Sequence, residues 1–143
     1  MSNNTTHSES NMLEKMQTAF LSHDEIVAAY LFGSYANDNT RSDSDIDIGL
    51  LLSDNSNVGA MYSVHIAKEL EDAADTKREM DVRILNNGTL RFLHQVLKGR
   101  LLFCRDDKKR IDFETSTIDR YLDFKPFLDD YDRMRKERLM HVG

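Results

Sequence analysis

An apolar run from Val27 to Phe32 stops at Gly33-Ser34, ten mostly polar residues intervene, and Asp45-Ile46-Asp47 opens a second apolar run ending at Leu52. This stretch constrains the fold more than any other. Both runs have strand length and are bounded by turn residues. The insert between them offers one helical turn at Ser34–Asp38 and a loop, Asn37–Ser44, without a hydrophobic residue. In a strand, residues i and i+2 share a face. Asp45 and Asp47 are therefore expected side by side, with Ile46 and Ile48 facing the other way. Two neighbouring carboxylates beside a glycine-led turn suit a hard cation carrying phosphates.

The rest of the chain limits what can surround this stretch. Its 143 residues fit one domain with a modest core. A net charge of -6 argues against broad nucleic-acid binding, which requires positive surface against phosphates. The single cysteine, Cys104, excludes an internal disulfide and a Cys-rich zinc site, and its apolar neighbours point to an inert thiol. No apolar run reaches the ~18 residues of a membrane span. Residues 1–10 lack the basic and apolar regions of a signal peptide, so the expected location is cytoplasmic.

Taken in order, residues 1–8 are polar and expected to be unpacked. Met12, Leu13, Met16, Phe20 and Leu21 recur at helical steps, with Ser10 or Asn11 as cap. After the two strands and a polar turn at 53–57, Val58, Met61, Val64 or His65, Leu70 and Ala73 or Ala74 form the expected stripe of a second helix. Residues 79–85 alternate, with Met80, Val82 and Ile84 on one face and Asp81 and Arg83 on the other. Thr89 can cap a third helix whose inner face is Leu90, Leu93 and Val96-Leu97, stopped by Gly99. Residues 100–105 read as a short fourth strand. From Asp107 the spacing is helical, and Pro126 is expected to break or kink that helix near Lys125. The expected fold is α+β: a mixed sheet of about four strands flanked by helices, with a flexible start (1–8), a core (9–106) and a helical C-terminal tail (107–143) of the same domain.

Chemically, Gly33 allows close backbone approach to a phosphate, and the turn after it offers unpaired N–H groups and the Ser34 hydroxyl. Asp45 and Asp47 suit Mg²⁺. A third carboxylate is needed to orient or deprotonate an attacking hydroxyl, and Asp81, on the polar face of a strand able to pair beside them, is the candidate. Two like charges at ~4 Å repel by roughly 4 kcal/mol at an effective dielectric near 20, so such a cluster calls for a cation. Taken singly, an Asp-x-Asp, a Gly-Ser or a lone Asp81 is more often surface or turn; the order and strand context give the combination its meaning.

The Gly33-Ser34, ten-residue, Asp45-x-Asp47 pattern resembles the signature of the nucleotidyltransferases related to DNA polymerase β. The string from Arg41 to Asp47 is similar to the minimal nucleotidyltransferases (MNT), including MntA-like antitoxins paired with HEPN toxins. The resemblance covers about residues 27–85. It implies transfer of AMP from ATP, with Mg²⁺, to a tyrosine of a cognate HEPN ribonuclease, which is thereby silenced. It implies Asp45, Asp47 and Asp81 as catalytic and metal-binding residues and Gly33, Ser34, Arg41 and Ser44 as nucleotide-binding ones. Where relatives often carry an Arg-Ala-Arg-Gly-like run, this chain has Tyr35-Ala36-Asn37-Asp38, which leaves open the cation that holds the phosphates; Arg41 and Arg83 are read either as phosphate contacts or as solvated or salt-bridged arginines. Two other functions fit the residues: an antitoxin that masks its toxin without catalysis, and an adenylyltransferase acting on a small molecule. No membrane or direct nucleic-acid partner is expected.

Five of the twelve aromatics, Phe113, Tyr121, Phe124, Phe127 and Tyr131, lie in the last third, interleaved with acids. They either anchor a protein partner or close over the open face of the sheet.

Overall fold

The computed structural model describes residues 3–33 and 45–141, with side chains for 10–33 and 45–140. In chain order the elements are α1 (Asn3–Leu21), β1 (Ile26–Phe32), β2 (Ile46–Leu52), α2 (Tyr62–Ala74), β3 (Met80–Ile84), α3 (Leu90–Leu97), β4 (Arg100–Cys104) and α4 (Asp107–His141). The strands form one mixed sheet in the order β3-β2-β1-β4. β1 pairs antiparallel with β2 and with β4, and β2 pairs parallel with β3 through the α2 crossover. The two central strands are the two most apolar runs, as burial on both faces requires.

Strand alternation divides the core between the two faces of the sheet. On one face Leu31, Ile46, Ile48, Leu50, Met80 and Val82 meet Met16 and Phe20 of α1 and Ile66 and Leu70 of α2. On the other, Ala28, Tyr30 and Leu51 meet Leu93 and Val96 of α3, with Phe113 of α4 packed beside them. Asp47 and Asp81 lie between residues of the first face, so their side chains stand on the α3 side.

Three expectations are corrected. α1 starts at Asn3, ahead of Ser10 and Asn11, so neither residue caps it; once a helix is nucleated by packing, each further residue adds a hydrogen bond at low cost. In α2 the buried stripe is Ile66, Leu70 and Ala74, while Met61, Val64 and His65 are exposed. Val64 and Ile66 are both apolar, and only docking against the sheet decides which of them turns inward. Finally, α4 runs through Pro126 without a break. The carbonyl that proline leaves without a donor belongs to Leu122, which is 59% exposed, so water can satisfy it.

α3 is capped as expected: Thr89 accepts a hydrogen bond from the Phe92 N–H at 3.3 Å. Gly99 follows it where a Cβ would collide with the Leu31 carbonyl oxygen, so the chain passes from α3 into β4 directly over β1. α4 is tied down as far as Asp132. Thr117 is buried, Glu114 accepts from Tyr30 Oη at 2.8 Å, Tyr121 stacks on His94 at 3.7 Å, and Arg91 donates to both Asp132 carboxylate oxygens at 3.0 and 2.9 Å. Between and beyond the last of these anchors Phe124, Phe127, Tyr131 and Met134 are all exposed. The distal aromatics therefore do not close over the sheet. Cys104 is partly buried, and burial first of all raises its pKa, which keeps the thiol protonated. Among the described residues no helix is long and apolar enough to cross a membrane.

Candidate active site

The site forms where β1 ends and β2 and β3 begin. The β1–β2 register sets Phe32 opposite Asp47, and the parallel β2–β3 register sets Asp47 opposite Asp81. Two carboxylates from strands some thirty residues apart in sequence thus become direct cross-strand neighbours, an arrangement that repels unless a cation intervenes. Asp45 lies one residue before β2, exposed.

Gly33 closes the third side. Its φ is +77°, in the left-handed region that favours glycine, and a Cβ there would strike the Asp47 carboxylate. The absence of a side chain at this turn is therefore what gives the Asp47 carboxylate its room. Ser34, Arg41 and Ser44, expected to contact nucleotide, lie outside the described residues.

The electrostatics follow from this packing. The Asp47 pKa is raised above the ordinary carboxylate value, first by burial and then by the charge of Asp81, with Asp45 adding to it and Arg83 opposing. Arg83, two residues along β3 and on the same face as Asp81, approaches it with Nε 3.4 Å from Oδ2. Its guanidinium also lies over the Phe92 ring, 5.5 Å from the centroid, and Phe92 stands edge-on to Phe32 at 5.6 Å. The Asp81 side chain is itself partly exposed, so solvent reaches it.

Of the expected set, Asp45, Asp47, Asp81 and Gly33 gather at one end of the sheet. Among the described residues, however, no three His, Cys, Asp or Glu side chains converge tightly enough to enclose a metal ion. Asp81 engages Arg83 instead. The donor set nevertheless fits a hard divalent cation: all-oxygen ligands, one partly buried, with a charge surplus that raises a carboxylate pKa. Phe92 is the member that sequence reading missed. It adjoins the inward positions Leu93 and Val96 of α3, and nothing in a helical period distinguishes a residue on the flank of the apolar stripe from a surface one.

Comparison with known proteins places this geometry. The sequence matches the polymerase beta nucleotidyltransferase family over residues 14–108, well over half of the chain. Curated proteins give no sequence match. Among solved structures, a toxin–antitoxin crystallised with AMP-PNP superposes with a TM-score of 0.66 at 22% identity, covering 83% of this chain and 97% of that one. An MntA-HepT toxin–antitoxin gives 0.60 at 21% identity, covering 84% and 96%. A tri-AMPylated HEPN toxin from Shewanella oneidensis in complex with its MNT antitoxin gives 0.57 at 21%, covering 88% and 97%. At these identities the likeness is one of fold.

Proposed function

This chain belongs to the polymerase β nucleotidyltransferase family, and we propose that it is an antitoxin of the minimal type, transferring AMP from ATP, with Mg²⁺, to a tyrosine hydroxyl of a cognate HEPN ribonuclease toxin. The observation that carries the reading is the Asp47–Asp81 pairing across parallel strands beside a positive-φ Gly33. The AMP-PNP and AMPylated complexes of similar fold support the choice of nucleotide and partner class. The working location is the cytoplasm.

Asp45, Asp47 and Asp81 would hold the cation. A divalent cation held there would supply Lewis-acid stabilisation of the charge that develops on the leaving group. The chain's own residues bind and orient. Gly33 lets the backbone approach the phosphates, and Ser34, Arg41 and Ser44, all from the insert between β1 and β2, donate to them. Asp81, half exposed, accepts the proton of the acceptor hydroxyl. The tyrosine oxygen attacks the α-phosphorus in line, the bond from that phosphorus to the bridging oxygen breaks, and pyrophosphate leaves with the bonding pair. Tyrosine-linked AMP adds negative charge and bulk to the toxin, which opposes RNA entry.

The test is direct. The purified chain is incubated with ATP labelled on the α-phosphate, Mg²⁺ and the HEPN protein encoded beside it. Label is expected on a toxin tyrosine; no transfer from a mixture in which the two proteins bind each other would overturn the proposal.

One observation favours a second reading, neutralisation by masking. The exposed Phe124, Phe127, Tyr131 and Met134 of α4 suit a protein partner irrespective of chemistry. The Asp45→Ala, Asp47→Ala double variant separates the two. Neutralisation that survives in cells identifies masking, and neutralisation lost from a folded variant identifies catalysis.

A further inference from the structure

Arg83 is held unlike the other arginines that support the fold. Arg105 donates to the carbonyls of Phe20, Leu21, His23 and Ile26, and Arg91 grips Asp132 through two nitrogens; both tie elements together. Arg83 meets Asp81 through one nitrogen at 3.4 Å, and its side chain is 60% exposed. A single exposed contact of that length adds little to stability. It does, however, set a positive charge against a carboxylate cluster that needs one. Arg83 is opposite Gly49 in the β2–β3 register, where Leu85 and Val96 fill the space over the glycine, and its own side chain reaches outward instead. The Phe92 face beneath the guanidinium gives it a position independent of Asp81.

We propose that Arg83 is the site's resident counter-cation: it neutralises Asp81 when no divalent ion is bound, yields that carboxylate when the ion arrives, and turns to the incoming phosphates. The inference rests on the metal–nucleotide reading above. It accounts for why Asp81 faces Arg83 rather than closing around a cation position with Asp45 and Asp47. It also supplies the phosphate-holding cation for a chain whose Gly-Ser is followed by Tyr35-Ala36-Asn37-Asp38. As a positioning residue, Arg83 competes with the metal in the empty site and cooperates with the metal–nucleotide in the filled one.

Those two roles have opposite signs, which a merely structural residue would not produce. Mn²⁺ binding to the full chain is measured by electron paramagnetic resonance, first alone and then with AMP-PNP, for the parent, Arg83→Ala, Arg83→Lys and Asp47→Asn. Removing one positive charge a few ångströms from a divalent ion, in partly screened surroundings, is expected to tighten nucleotide-free Mn²⁺ binding about three- to tenfold in Arg83→Ala. The same variant is expected to weaken AMP-PNP binding by a similar factor. Arg83→Lys, which keeps the charge but not the flat stacking group, should behave as the parent with Mn²⁺ alone and fall between with nucleotide. If Asp47→Asn abolishes Mn²⁺ binding while Arg83→Ala leaves it unchanged or weaker, the metal site stands and the counter-cation role is overturned. If the parent binds no Mn²⁺, or Asp47→Asn binds it as well as the parent, the metal reading fails and takes this proposal with it. Circular dichroism of each variant separates these outcomes from loss of the fold.

Discussion

The sheet and the distal half of α4 use the same residue types to opposite ends. In β1 and β2 every aliphatic side chain is buried, because helices cover both faces. In α4 beyond Tyr121, large apolar side chains of the same kind stand in solvent, with Phe127 at 69% and Tyr131 at 61% exposure. The first region derives its stability from within the chain. The second is tied to α3 through Arg91 at Leu128 and Asp132, while its large apolar side chains remain exposed to solvent. Apolar pattern alone therefore does not distinguish a core from a surface kept open for another molecule.

Site chemistry should break this comparison most sharply, since it belongs to the sheet and not to the tail. On the proposed function, Asp47→Asn is expected to lower nucleotidyl transfer by about a thousandfold or more, because a proposed metal-binding carboxylate would be lost. The fold should not suffer. A core truncation does the reverse: Ile48→Ala removes a fully buried side chain and is expected to cost about 2–5 kcal/mol in chemical denaturation. Its counterpart in the tail, Phe127→Ser, should change stability by less than about 0.5 kcal/mol while weakening partner binding at least about tenfold in calorimetry. A tail variant that unfolds the protein would show that the distal helix is part of the core after all.

Smaller effects sharpen the boundary. Thr89→Ala removes the one side-chain cap of α3, the helix that carries Phe92 and anchors α4, and is expected to cost about 1 kcal/mol. The pH dependence of Asp47→Asn should be smaller still and has a definite sign. The Asp47 pKa is raised in the folded state, so its stability contribution is fully present below the ordinary value of 3.8 and is lost as pH rises through the folded value. At neutral pH the uncharged variant should thus be slightly more stable than the parent. That advantage should vanish on acidification below 3.8. An advantage that persisted in acid would mean that repacking, and not charge, separates the two proteins.

Much of the core was legible because its signals are local. Alternation with period two marks β3 and sets Asp81 and Arg83 on its polar face, and a threonine before an apolar period marks the start of α3. A glycine at the end of an apolar run followed by Asp-x-Asp marks the turn and the two neighbouring carboxylates. Other features follow from which elements meet, and no local period encodes that. The Asp47–Asp81 register depends on the parallel pairing of β2 with β3. The choice of Ile66 over Val64 as the inward residue of α2, and the seating of Arg83 between Asp81 and Phe92, depend on helices docking from opposite sides of the sheet. The unbroken passage of α4 through Pro126 depends on that stretch lying in water. The sequence by itself determined the strands, the turn and the kinds of side chain available to the site. Tertiary structure decided which carboxylates became neighbours and which apolar surface stayed exposed, since both are outcomes of contacts between residues far apart along the chain.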